Sequence, residues 1–83
     1  MNTLIRLLQN IKSEIEAKDL VESLFSPEEV ETFEKRIEII KLLLKNKPHR
    51  EISQKLNVGI VTVTRGAKEL KMGRFKFLTE KIK

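Results

Sequence analysis

Leu4, Leu8, Ile11 and Ile15 recur at spacings of four, three and four, the period of one face of a helix. Ile5 and Leu7 widen the stripe, and the pattern predicts an amphipathic helix over residues 3–17. Leu20, Val21 and Leu24 mark a short second helix over 18–24, with no glycine or proline to show where the first one ends. Ser26-Pro27-Glu28-Glu29 is a strong start for a third. Ser26 is placed to cap it, Pro27 suits the first helical position, where its missing N–H costs nothing, and Glu29 completes a capping box. Phe25 and Val30 are spaced as a hydrophobic staple across that start. Val30, Phe33, Ile37, Ile40 and Leu44, widened by Leu43, then predict a buried stripe along a long central helix to about Leu44.

Residues 47–70, KPHREISQKLNVGIVTVTRGAKEL, read as two short helices around a three-residue turn. Pro48 suits the first turn of one helix, and Ile52 and Leu56, four apart, share its inner face. Asn57 follows where that helix must stop, because asparagine tolerates the left-handed conformation, and Asn46 is a similar candidate at the end of the central helix. Val58 plugs the angle, and Gly59 starts the second helix, with Ile60, Val63 and Ala67 inward and Thr62, Thr64 and Lys68 outward. This is the pattern of a helix-turn-helix, which presents its second helix to the DNA major groove. Gly66 does not fit a generic motif of that kind. A glycine inside a helix costs about 1 kcal/mol relative to alanine, so a close backbone approach or a ligand needing the space should offset it. After the break at Met72-Gly73, Phe75, Leu78 and Ile82 predict a last short helix with those three side chains inward.

The fold class expected is therefore all-α, about six helices, in a single domain over 1–83. Its parts are residues 1–24, the central helix at 26–45, the helix-turn-helix at 47–70 and a C-terminal helix at 74–83. Eighty-three residues bury a modest core, and a small domain is often completed by a partner. The chain has no cysteine and one histidine, which argues against a disulfide framework or a zinc site. No apolar run approaches a membrane span, and the first residues turn acidic where a signal peptide would end, so a cytoplasmic protein is expected. Charge sharpens the picture. Residues 1–42 carry six Lys/Arg against nine Asp/Glu, a net of −3, whereas residues 43–83 carry eleven against three, a net of +8. The basic half holds the helix-turn-helix, and phosphate neutralisation by Lys and Arg supplies most non-specific DNA affinity. An enzyme is not indicated: there is no nucleophile–base pair, metal cluster or glycine-rich phosphate loop, and Glu28, Glu29 and Glu31 read as helix-start charges. His49 and, on its own pattern, Arg36 read as exposed helical residues.

Taken together, GIVTVTRG at 59–66, FSPEE at 25–29, KRIEIIKLLL at 35–44 and REI at 50–52 resemble the Trp repressor family in content and order. The resemblance covers roughly residues 25–71. It implies an intertwined homodimer whose N-terminal helices interlock, which would cover the apolar stripe of residues 4–15. It also implies L-tryptophan as a corepressor. Arg36 and Arg65 match the two arginines that sandwich the indole and hold the carboxylate, and Gly66 matches the glycine that leaves it room. Ser26 matches the threonine that closes the pocket from the other subunit, and backbone carbonyls near Ser23 and Phe25 would receive the ammonium group.

For the DNA operator, Arg50 matches a base-reading arginine, and Ile60, Val61, Thr62 and Thr64 match recognition-helix contacts. Gly59 would offer a backbone N–H to phosphate, Lys71 matches a phosphate-binding lysine, and Lys68 is a further basic residue beside it. The chain departs from the family at Ala67-Lys68-Glu69, where Glu69 puts a carboxylate near the ligand. The function implied is a repressor of tryptophan metabolism genes. The alternatives are a regulator of the same build that ignores tryptophan, and a helical protein–protein dimerisation module.

Overall fold

The computed structural model describes residues 2–82. Six helices follow one another: α1 (Thr3–Gln9), α2 (Glu14–Leu24), α3 (Pro27–Leu44), α4 (His49–Leu56), α5 (Ile60–Lys71) and α6 (Lys76–Ile82). No strand occurs among the described residues. The chain divides into two compact units, Met1–Glu31 and Thr32–Lys83, with the division falling inside α3.

In the N-terminal unit, the helix expected over 3–17 is broken in two. Asn10 closes α1: its side-chain amide donates to the Arg6 carbonyl at 2.8 Å, and its backbone N–H reaches the Arg6 and Leu7 carbonyls. Asparagine competes with the helix for its own backbone groups in this way. Ser13 then caps α2, accepting from the Glu16 N–H at 3.1 Å, while the Glu16 carboxylate accepts from the Lys12 N–H at 2.8 Å. The apolar stripe is thereby split between two helices, and Ile15 stands 81% exposed. The start of α3 matches its spelling. The Ser26 N–H donates to Glu29 Oε1 at 2.8 Å and the Glu29 N–H donates to Ser26 Oγ at 3.1 Å, with Pro27 the first helical residue. Phe25 and Val30 are half-buried and line one apolar hollow of this unit with Ala17 and Val21.

The core of the C-terminal unit is Ile39, Leu42, Ile52 and Val63, with Leu43, Leu56 and Val58 packed against them and Ile40 fully buried. On α3 the buried face differs from the expected one. Of the predicted stripe only Ile40 is buried; Val30, Ile37, Leu43 and Leu44 are half-buried and Phe33 is exposed. The helix is apolar over a wide arc, and the side it buries is the one that meets Ile52 of α4 and Val63 of α5. Val63 and Ala67 turn inward on α5 as expected, but Ile60 lies exposed in its first turn.

Helices α3 and α5 end in the same local closure, the Schellman motif. Asn46 at φ 61° and Gly73 at φ 86° take the left-handed position. Lys47 N–H then reaches back to Leu42 and Arg74 N–H to Glu69, each at 3.1 Å. Asn57 ends α4 left-handed at φ 54°, ψ 49°, and the following turn is clasped by Ser53, whose hydroxyl donates to the Val58 carbonyl at 2.6 Å. Pro48 stands just ahead of α4 rather than in its first turn, and Gly59 precedes α5.

Gly66 faces α3. A Cβ built there would lie 3.3 Å from Ile39 Cγ2 and 3.6 Å from Leu43 Cδ1. The close backbone approach that a mid-helix glycine calls for is therefore present. Gly66→Ala sets the gain in helix propensity, about 1 kcal/mol, against that contact and should change stability little. Gly66→Val should lower it by about 1–3 kcal/mol through overpacking, as read by urea denaturation.

Candidate ligand hollow and exposed helix face

Within the C-terminal unit, α3 and α5 bound a hollow of about 550 Å3. Its floor is apolar, from Ile39, Ile40 and Val58. Arg36 comes from α3, and Arg65, Gly66 and Glu69 from α5, at spacings that put these three on neighbouring turns of one side. Volume and lining suit a ligand of amino-acid size with an apolar body and a few polar groups.

Three of the sequence-predicted ligand residues, Arg36, Arg65 and Gly66, are thus brought together. Ser23, Phe25 and Ser26 belong to the N-terminal unit and are not among the residues that line this hollow. The Arg36 guanidinium sits 5.9 Å from the centre of the Phe33 ring, so an aromatic face lies beside it.

Thr32 and Lys35 on α3, and Arg74 and Phe75 after α5, line the hollow without having been expected there, and so does Thr62 of α5, expected on the outer side. Lys35 had a visible signal, since it adjoins Arg36 and follows Thr32 by three residues. Arg74 and Phe75 had none, because only the closure at Gly73 folds them back. That closure also delivers the Arg74 side chain to Glu69, with Nη1 3.3 Å from Oε2. Phe75 is held at φ 64°, a conformation costly for an aromatic residue, and is half-buried. With Lys35, Arg36, Arg65 and Arg74 against Glu69 alone, the lining carries a net +3 and favours an anionic group.

The second set of predicted residues lies on α4, on α5 and at Gly59 just ahead of α5. Arg50, Gly59, Ile60, Val61, Thr62, Thr64, Lys68 and Lys71 are all exposed. Val61 is 69% exposed, an unusual place for a β-branched apolar side chain. The Thr64 hydroxyl donates to the Ile60 carbonyl at 3.0 Å, which fixes its orientation. Lys68 and Lys71 sit in the last turn of α5, where cations suit the negative end of the helix. Gly59 has φ −65°, and a Cβ there would meet nothing closer than Thr62 Oγ1 at 3.9 Å, so the fold itself does not require glycine. Among the described residues no group of His, Cys, Asp or Glu is placed to hold a metal ion, and no helix is long and apolar enough to cross a membrane.

A chain of six helices with two short ones joined at a tight turn, a cationic hollow beside them and an exposed basic helix face defines a class of small all-α proteins. Within it, the chain belongs to the Trp repressor protein family, whose model matches residues 1–80. That family is one of transcriptional regulators, not a class of enzymes. Among the curated relatives is a Trp operon repressor homolog of Vibrio vulnificus (strain YJ016). It is 39% identical over 71 residues, spanning 81% of this chain and 70% of the relative. The homolog of Actinobacillus succinogenes is 38% identical over 72 residues, spanning 86% and 71%. That of Vibrio cholerae is 45% identical over 53 residues, spanning 63% and 52%. No solved structure matches the chain.

Because the Arg74 side chain is 68% exposed, its bridge to Glu69 contributes little to folding. Arg74→Ala should lower stability by less than about 1 kcal/mol in a thermal melt, whatever it does to the hollow.

Proposed function

We propose that the protein is a homodimeric, DNA-binding transcriptional repressor of tryptophan metabolism genes, with L-tryptophan as its corepressor. The observation that carries this reading is the meeting of Arg36, Arg65 and Gly66 around one hollow on the inner side of α5, whose other side is exposed and basic. Arg36 and Arg65 sandwich the indole and hold the carboxylate, with Gly66 leaving room between the helices. Ser26 closes the site from the second subunit, and carbonyls near Ser23 and Phe25 take the ammonium. The apolar side chains of α1, from Leu4 to Leu8, stand exposed, which supports a second copy as their cover.

On the outer side, Arg50, Ile60, Val61, Thr62 and Thr64 read base edges in the major groove, while Gly59, Lys68 and Lys71 engage phosphates. The open space at Gly59 supports a backbone N–H that a phosphate can approach closely. Tryptophan acts as a switch only if it binds the DNA-competent arrangement more tightly than the other. The hollow's position behind α5 supports a ligand whose binding differs between placements of that helix.

Glu69 favours a second reading, a regulator of the same build that ignores tryptophan, since it adds a carboxylate to the hollow. The chain contains no Trp and no Tyr, so ligand fluorescence separates the two. Protein titrated into L-tryptophan should give a saturable rise in anisotropy that Arg65→Ala removes. No rise up to millimolar protein would favour the second reading. Binding to duplex DNA should weaken steeply with salt, and Lys71→Ala should reduce the slope of log K against log [salt] by about 2, one for each protomer of the dimer. Salt-independent or absent DNA binding would instead indicate a protein–protein dimerisation module.

A further inference from the structure

Helices α4 and α5 each have one fully buried side chain, Ile52 and Val63. A single anchor on each leaves their mutual tilt to be held elsewhere, and the turn between them supplies the next constraint. Ser53 of α4 closes that turn from both sides. Its carbonyl accepts from the Val58 N–H at 3.1 Å, and its hydroxyl donates to the Val58 carbonyl at 2.6 Å. A serine or threonine inside a helix commonly bonds back to the carbonyl four residues before it, as Thr64 does to Ile60. Ser53 instead reaches forward five residues, past the end of its own helix at Leu56. Val58, held at both of its backbone groups, packs against the core and adjoins Gly59, which leads into α5.

We propose that Ser53 is a positioning residue for DNA reading: its clasp on Val58 fixes the angle at which α5 leaves α4, and so governs sequence discrimination more than affinity for DNA at large. This rests on the DNA-binding reading above. Hydrogen bonds to base edges weaken steeply away from their geometry, whereas phosphate contacts carry no sequence information. Arg50 lies seven residues before the left-handed Asn57, about 10 Å along α4, so a tilt of about 5° at the turn moves it by about 1 Å relative to α5. Such a shift spoils base contacts that the two helices make in a common register. The long, flexible side chains of Lys68 and Lys71 still reach phosphates after it. Loss of the Ser53 hydroxyl removes no charge, so the electrostatic part of binding stays intact. Alanine is the better helix former, so Ser53→Ala releases the clasp without weakening α4 itself.

The full wild-type chain, with L-tryptophan present, is used to enrich duplexes from a random-sequence pool. The enriched duplex and a shuffled copy of it, each dye-labelled, are then titrated with the variants. Ser53→Ala should bind the enriched duplex about threefold to tenfold more weakly, the range of one neutral hydrogen bond, and the shuffled one within about twofold of wild type. Its salt dependence should match wild type on both. Ser53→Thr and Ser53→Val introduce the same shape and differ only in the hydroxyl. The former should keep the discrimination and the latter lose it, a comparison that holds even where the alanine variant folds poorly. Equal loss on both duplexes, unchanged discrimination in Ser53→Ala, or equal behaviour of the other two variants would overturn the role of Ser53 alone. A wild type that enriches no sequence would overturn the sequence-specific DNA-binding reading and this proposal with it.

Discussion

Gly66 of α5 rests on Ile39 and Leu43 of α3 at a separation that leaves little space for a Cβ. Side chains of α3 thereby reach the backbone of α5 beside the core of the C-terminal unit. Val63, one turn earlier, reaches full burial among Ile39, Leu42 and Ile52. Arg65 and Glu69, on either side of the glycine, are carried to the rim of the hollow that Arg36 enters from α3. Core and hollow thus share one wall. A larger residue at 66 changes the packing and the cavity together, so loss of ligand response in such a variant has two physical sources, and Arg65 isolates the chemistry of the site more cleanly.

Local signals were the legible ones. Ser26-Pro27-Glu28-Glu29 spells a capping box and forms one, because each bond lies within three residues. Asn46 and Asn57 announce left-handed helix ends for a similar reason. The break between α1 and α2 was equally local, in Asn10 and in Ser13 with Glu16, but the apolar period running across it dominated the reading. Choices made by distant partners were not legible. The apolar arc of α3 is wide enough to bury either side, and the positions of α4 and α5 decide in favour of Ile39 and Leu42 over Phe33. The hollow was half visible. Arg36, Arg65 and Gly66 follow from motif resemblance, whereas Arg74 and Phe75 depend on a backbone reversal whose direction the residue types do not state.

Chemically, α5 separates two environments. Its inner side borders a small cationic hollow with one carboxylate, and its outer side offers threonines, exposed aliphatics and lysines to solvent. Membership of the Trp repressor protein family gives this arrangement its context.

The closures at the ends of α3, α4 and α5 each span only a few residues, and the core cluster they frame draws on a stretch from Ile39 to Val63. Chains dominated by such short-range contacts reach their folded form quickly, on the order of microseconds to milliseconds, because little loop entropy must be lost before contacts reward it. The core around Ile39, Leu42, Ile52 and Val63 can therefore form from one short run of the chain, without waiting for contacts between its ends.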